Sequence, residues 1–219
     1  MNAASTPEGA GTLTPDNAPL APSVRLPRHE RRSQVLAAAQ EVFVAVGYHS
    51  AAMDDIADRA GVSKPILYQH FPSKLDLYLA LLDQSSDQLL AAVEFALVST
   101  HDNKSRVSAT IQAYFDFVDD EAGGFRLLFE NDLTNESAVR QRLDSVNGKC
   151  AALIAEVIAE DTGLSDDESL LLASGLTGLA QTSARHWLRE GGSVPKETAS
   201  RIMAGLSWRG ISGFPLTPN

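Results

Sequence analysis

The stretch GYHSAAMDDIADRAGVSKPILYQHFPSK, residues 47–74, narrows the possible folds more than any other part of the chain. It reads as two short helices joined by a tight turn, the second ending in an aromatic, polar and basic cluster. Met53, Ile56, Ala57 and Ala60 share one buried face of a helix over about 53–60. Gly61-Val62 makes the turn. Ser63 stands at a favoured N-cap, and Pro65 is tolerated in a first turn, where backbone N–H groups lack intrahelical partners. On the second helix Lys64, Pro65, Tyr68 and Gln69 fall at i, i+1, i+4 and i+5, on one side. Leu67 and Phe71 lie on the other side and read as core.

This is the pattern of a helix-turn-helix, whose second helix offers one side to the major groove and the other to the protein core. Tyr68 can donate its hydroxyl to a phosphate, and Lys64 can reach a guanine edge or a phosphate. Gln69 can pair with an adenine edge, and Pro65 can touch a thymine methyl. Ser63 opens this face. Lys74 is expected in the first turn of the following helix, where free N–H groups and the helix dipole favour an anion, so a phosphate is its expected ligand. His70 either contacts phosphate or stacks at the edge of the module.

The charge distribution fits. The chain carries a net −10, which taken whole argues against a nucleic-acid partner. Residues 25–75 nevertheless hold seven basic side chains against five acidic ones, the only net-basic block. Clustering of that kind is what phosphate contact needs. Residues 1–24 are rich in Pro, Gly, Ala, Ser and Thr and are expected to be a disordered arm. Arg25 and Arg28 follow it and could reach an adjacent minor groove; the alternative for the Arg25, Arg28, Arg31 and Arg32 group is a solvated helix start.

The rest of the chain is helical in period, without alternating strand patterns or repeats. A first helix is expected over about 28–46, with Val35, Ala39, Phe43 and Val46 on one face and Gly47 as a left-handed end on which Tyr48 folds back. A long fourth helix is expected over about 73–98. Further helices are expected over about 104–119, around Phe125, Leu128 and Phe129, over about 136–161, over 166–189 and over about 195–208. Ser165 and Glu168 form a capping box for the helix from 166. The fold class is all-α: an arm at 1–24, a three-helix helix-turn-helix DNA-binding domain at 25–75, a larger helical effector-binding and dimerisation domain at 76–210, and an irregular tail at 211–219.

Gly47-Tyr48, Ile56-Ala57, Ala60-Gly61-Val62-Ser63, Leu67-Tyr68, His70-Phe71 and Lys74 together resemble a TetR-family transcriptional regulator, strongly over about 30–80 and by architecture beyond. The family usually has Thr or Ser just before the second helix; this chain has Ala51-Ala52, which removes a side-chain cap and leaves the Met53 backbone N–H for a phosphate there. The resemblance implies a homodimer on a palindromic operator, built from the last two long helices, and most family members repress. The apolar positions Leu172, Leu176, Leu179, Trp187, Ile202 and Leu206 are the expected interface, with Gly175 and Gly178 allowing close approach. It also implies a small-molecule effector, here expected to be hydrophobic, in a pocket drawn from Tyr114, Phe117, Phe129, Asn147, Gln181 and His186, with Asn131 and Asp132 as further polar groups.

Other classes find less support. There is no nucleophile elbow, zinc-protease or phosphate-loop motif, and the five histidines are scattered. No enzyme, cofactor or metal is expected. A helical interaction module that has lost DNA binding is the remaining rival. No apolar run is long enough to span a membrane. The single cysteine, Cys150, sits among apolar neighbours and is expected to be buried and inert. A cytoplasmic protein is expected.

Overall fold

The computed structural model describes residues 27–120, 123–129, 133 and 135–210, without the side chains of Phe125 and Phe129. The arm at 1–24, Arg25, the residues Asn131 and Asp132, and the tail at 211–219 lie outside the described residues. Nine α-helices and no strand are found among the described residues: α1 (Arg28–Ser50), α2 (Met53–Arg59), α3 (Lys64–His70), α4 (Lys74–Val98), α5 (Asn103–Asp119), α6 (Gly124–Phe129), α7 (Ser137–Thr162), α8 (Asp166–Arg189) and α9 (Lys196–Arg209). The all-α class is therefore correct.

Helix ends follow local chemistry. Ser73 caps α4 by accepting from the Asp76 N–H at 3.0 Å, and Asp102 caps α5 by accepting from the Ser105 N–H at 2.8 Å. At α8 the capping box closes in both directions: Ser165 Oγ accepts from the Glu168 N–H, and the Glu168 carboxylate accepts from the Ser165 N–H at 2.9 Å. Asp166, Asp167 and Glu168 in the first turn and His186 and Arg189 in the last complement the helix dipole. Gly47 has φ +77°, as a left-handed break requires, but helix resumes for one turn to Ser50 rather than stopping at Val46.

α4 is the spine. Its first turns pack on α1, and its length packs on α5, α6 and α7. α1, α2 and α3 form the N-terminal module around Val35, Ala39, Phe43, Ile56, Leu67 and Phe71, all buried. α5, α7, α8 and α9 build the larger part, with α8 laid along α7 and α9 along α5. An aromatic joint links the two parts. Tyr48 folds back on Phe43 with ring centroids 5.8 Å apart, and Tyr78 of α4 meets both rings edge-on at 5.3 and 5.2 Å. The Tyr78 hydroxyl donates to the Leu127 carbonyl of α6 at 3.1 Å. The N-terminal module, the spine and α6 are thus fastened at one place. No described helix is long and apolar enough to cross a membrane.

Candidate nucleic-acid interface and apolar cavity

α3 is only seven residues long, too short to hold its shape by itself. It is held by Leu67 and by Phe71 at its end, 0% and 2% exposed. Ser63, Lys64, Pro65, Tyr68 and Gln69 lie on the opposite, exposed side, with Tyr68 40% exposed. The structure therefore gives the helix one buried and one open side. Lys64 is ion-paired with Asp54 of α2 at 2.7 Å, both side chains being more than half exposed; this pair raises the ammonium's pKa above its ordinary value. Such an exposed pair is weak and yields to a better anion.

Two details depart from the sequence reading. Ser63 occupies the N-cap position of α3, but its hydroxyl makes no capping bond. Pro65 sits in the first turn of α3, as expected. Lys74 is not presented to a phosphate. Its Nζ donates to the carbonyls of Tyr48 and Ala51, each at 2.9 Å, and of His49 at 3.3 Å. The same ammonium lies 4.6 Å from the Tyr48 ring centroid. All three of its donors are spent on the end of α1. At α2, Ala52 stands at the N-cap with no side-chain bond, and Asp54 and Asp55 in the first turn offset this through the dipole.

The start of α1 reaches the same face. Arg32 places its guanidinium 4.6 Å from the Phe71 ring centroid. His70, half-buried, has its pKa pushed below the ordinary value by burial and then by the charges of Arg28, Arg31 and Arg32. At neutral pH it is an uncharged donor beside three cations. Arg31 and Arg32, which the sequence reading left as a solvated helix start, thus join Arg28 at the end of α3. A basic pair one turn before the first buried residue of α1 was the available signal.

A cavity of about 670 Å³ lies among α5, α7, α8 and α9, within the size range of small-molecule sites. Tyr114 lines it. Asn147, Gln181 and His186 do not, and Phe117 lines a separate groove with Phe95. The Phe129 side chain is outside the described residues. Phe117, expected at the pocket, is buried in the core at 8% exposure. Aliphatic side chains line the space instead, among them Ile111, Ile154, Ile158, Leu176 and Leu179. At one end Arg106 is ion-paired with Asp161 at 2.9 Å.

Of the α8 positions expected at a dimer interface, Leu172 is 51% exposed. Leu172, Leu176, Leu179 and Leu206 line the cavity, and Trp187 packs on Phe115 and donates to the Val194 carbonyl. Leu171 and Gly175 line the same cavity and are exposed, Leu171 to 74%, as are Gly178 and Thr182 further along α8. Among the described residues, nothing beyond the adjoining turns of the helix itself approaches within 4 Å of a Cβ built on Gly175 or Gly178. On α9, Ile202 is 43% exposed. Cys150 is fully buried, and burial pushes its thiol's pKa up. No cluster of metal-ligating side chains is found among the described residues.

Known proteins share this arrangement. Residues 35–81 match the bacterial regulatory proteins of the tetR family, and residues 104–210 match the tetracyclin repressor-like C-terminal domain. The chain is 46% identical over 193 residues to the HTH-type transcriptional activator FasR of Mycolicibacterium smegmatis, covering 88% of each protein. A TetR-like transcriptional regulator from Rhodococcus sp. RHA1 superposes with a TM-score of 0.69 at 26% identity, over 87% of this chain and all of that one. FadR from Bacillus subtilis, solved in complex with stearoyl-CoA, has the same fold, with a TM-score of 0.67 at 21% identity over 82% of this chain and 98% of its own. With the two-sided α3 and the matching N- and C-terminal domains, the chain belongs to the TetR family of DNA-binding transcriptional regulators and is not an enzyme.

Proposed function

We propose that this protein binds a two-fold symmetric operator as a homodimer in the cytoplasm, and that a small effector with a long apolar chain controls that binding. The observation that carries the DNA reading is the exposed side of α3, Lys64, Pro65, Tyr68 and Gln69, set against its buried side, Leu67 and Phe71. Arg28, with Arg31 and Arg32 beside it, supplies phosphate contacts next to that helix, and Ser63 opens the face. Lys74 has no part in it.

The exposed side of α8, with Leu171, Leu172 and Gly178, and the exposed Ile202 of α9 support a second copy as the partner. One helix-turn-helix makes few contacts, and doubling it across a two-fold axis yields a palindromic site. The size of the cavity and its aliphatic wall support an apolar effector, and the acyl ligand of the Bacillus subtilis FadR complex is of that kind. Effector binding shifts the dimer between spacings of its two α3 helices, with a coupling of about 1–3 kcal/mol in typical systems. For the sign of regulation, the 46% identical relative carries the name of an activator. Activation is accordingly our reading, in place of the repression common in the family.

Selection of bound duplexes from a random pool tests the reading. It should return an inverted repeat, bound by two chains as counted by ultracentrifugation. A helical interaction module without DNA binding would return no enriched sequence. Tyr68→Phe should weaken binding about five- to tenfold and equally for every duplex, as loss of one phosphate hydrogen bond does. Titration of the selected site and of unrelated DNA measures this; a loss confined to one base pair would place Tyr68 on a base edge instead.

A further inference from the structure

A carboxylate stands on the open side of the helix-turn-helix. Both oxygens of Asp54, in the first turn of α2, engage Lys64 Nζ at the start of α3, at 2.7 and 3.0 Å. Lys64 is on the exposed side of α3 with Tyr68 and Gln69, so its carboxylate partner is at that surface too. Arg59, at the end of α2, is likewise paired, with Glu41 of α1. The arginines at the start of α1 differ. Arg28, Arg31 and Arg32 have no ion pair among the described residues. The module therefore holds two kinds of cation. Three arginines meet a phosphate with no acid to leave, and Lys64 must first leave a carboxylate.

What parts the Lys64–Asp54 pair decides its effect on recognition. An exposed pair of this kind is weak enough for DNA to part. Binding to unrelated DNA rests on cations that meet phosphates and release counterions. A single phosphate, however, is no better an anion than the carboxylate it displaces. The exchange also strands the Asp54 charge beside the phosphate backbone, where like charges repel. Lys64 gains little there. A guanine edge offers more, because its O6 and N7 accept from one ammonium together and carry no full negative charge. Only that contact gives Lys64 more than Asp54 already does.

We propose that Asp54 is a specificity-determining residue that acts through Lys64. It withholds the lysine from the phosphates of unrelated DNA and releases it to a guanine edge in the operator, so the pair lowers sequence-independent binding more than operator binding. This rests on the exposed side of α3 being the side that meets DNA. Specificity is a difference of affinities, and a group that weakens the wrong complex raises it as surely as one that strengthens the right complex.

The test uses the full chain, the duplex recovered by selection and an unrelated duplex of equal length, with binding measured at several salt concentrations. Asp54→Asn keeps the shape of the side chain and removes its charge. It should tighten binding to the unrelated duplex about fivefold and steepen that log-log salt slope by about one, as one more phosphate contact does. The selected duplex should gain less than about twofold, so the ratio of the two affinities falls. In the Lys64→Ala background the same substitution should move binding to the unrelated duplex less than about twofold. Both side chains are exposed, so Tm should stay within about 2 °C throughout. Equal gains on both duplexes, or no gain on either, would overturn the proposal. Weaker binding of both would overturn it too, making Asp54 a brace that holds Lys64 on DNA. So would a fivefold gain that persists in the Lys64→Ala background. If Lys64→Ala alone leaves the selected duplex bound as before, Lys64 has no base contact and this proposal fails, while Tyr68 and Gln69 still test the reading of α3 on their own.

Discussion

Lys74→Ala is expected to lower the melting temperature by roughly 5–10 °C and to leave the salt dependence of DNA binding unchanged. The ammonium donates to three carbonyls at the end of α1 and covers the Tyr48 ring. Hydrogen bonds to a charged group contribute about 1.5–3 kcal/mol each when well buried. Lys74 is half-buried, so solvent screening brings the total to about 2–3 kcal/mol. For a chain of this size 1 kcal/mol corresponds to roughly 2–4 °C. The loss falls where α1, α4 and the turn into α2 meet, and the N-terminal module should loosen first. Lys74→Met, which keeps the stem over Tyr48, should recover a small part of the loss. A lysine bound to phosphate behaves in the opposite way. Its removal leaves Tm alone and reduces the log-log salt slope by about one. Thermal melts beside binding isotherms at several salt concentrations separate the two.

Leu67→Ala should cost about 3–4 kcal/mol, within the usual range for a fully buried leucine. Its effect on DNA should exceed its effect on the fold. α3 has seven residues, and Leu67 and Phe71 are its buried anchors. Losing one frees the helix locally at temperatures where the rest of the chain stays folded. Gel shift should show at least a hundredfold weaker binding, and amide exchange should speed up in α3 before it does in α4. Gln69→Ala, on the exposed side, should leave Tm within about 1 °C. Unchanged binding and exchange in the leucine variant would mean that α3 is held by something other than this contact.

The two sides of α3 could be read from the sequence because helical period alone separates 64, 65, 68 and 69 from 67 and 71. The start of α8 was equally plain, since Ser165 and Glu168 satisfy each other's backbone within four residues. Lys74 was not legible. Its position at a helix start is local, whereas the carbonyls that bind it come from residues 48–51, returned there by the Gly47 break. Arg31 and Arg32 were hidden for the same reason, because their neighbour His70 is brought to them only by packing. In the C-terminal part the leucines of α8 were correctly read as one stripe, but period does not say what the stripe faces. Leu172, Leu176 and Leu179 line the cavity together with Gly175, while Gly178 stands on the exposed side. Tyr114 lines the cavity as expected, whereas Phe117 does not, since bulky rings fill a core best and the space is left where aliphatic side chains line the helices.

Site-specific photocrosslinking tests the central claim directly. A photoreactive side chain is placed at Gln69 on the exposed side of α3, and another at Ser174 on α8 as a control far from the interface. Each protein is bound to the duplex recovered by selection and irradiated. The account predicts crosslinks from position 69 to bases in the major groove of both half-sites, and none from position 174. Crosslinks absent at 69 on DNA that the protein demonstrably binds would contradict it.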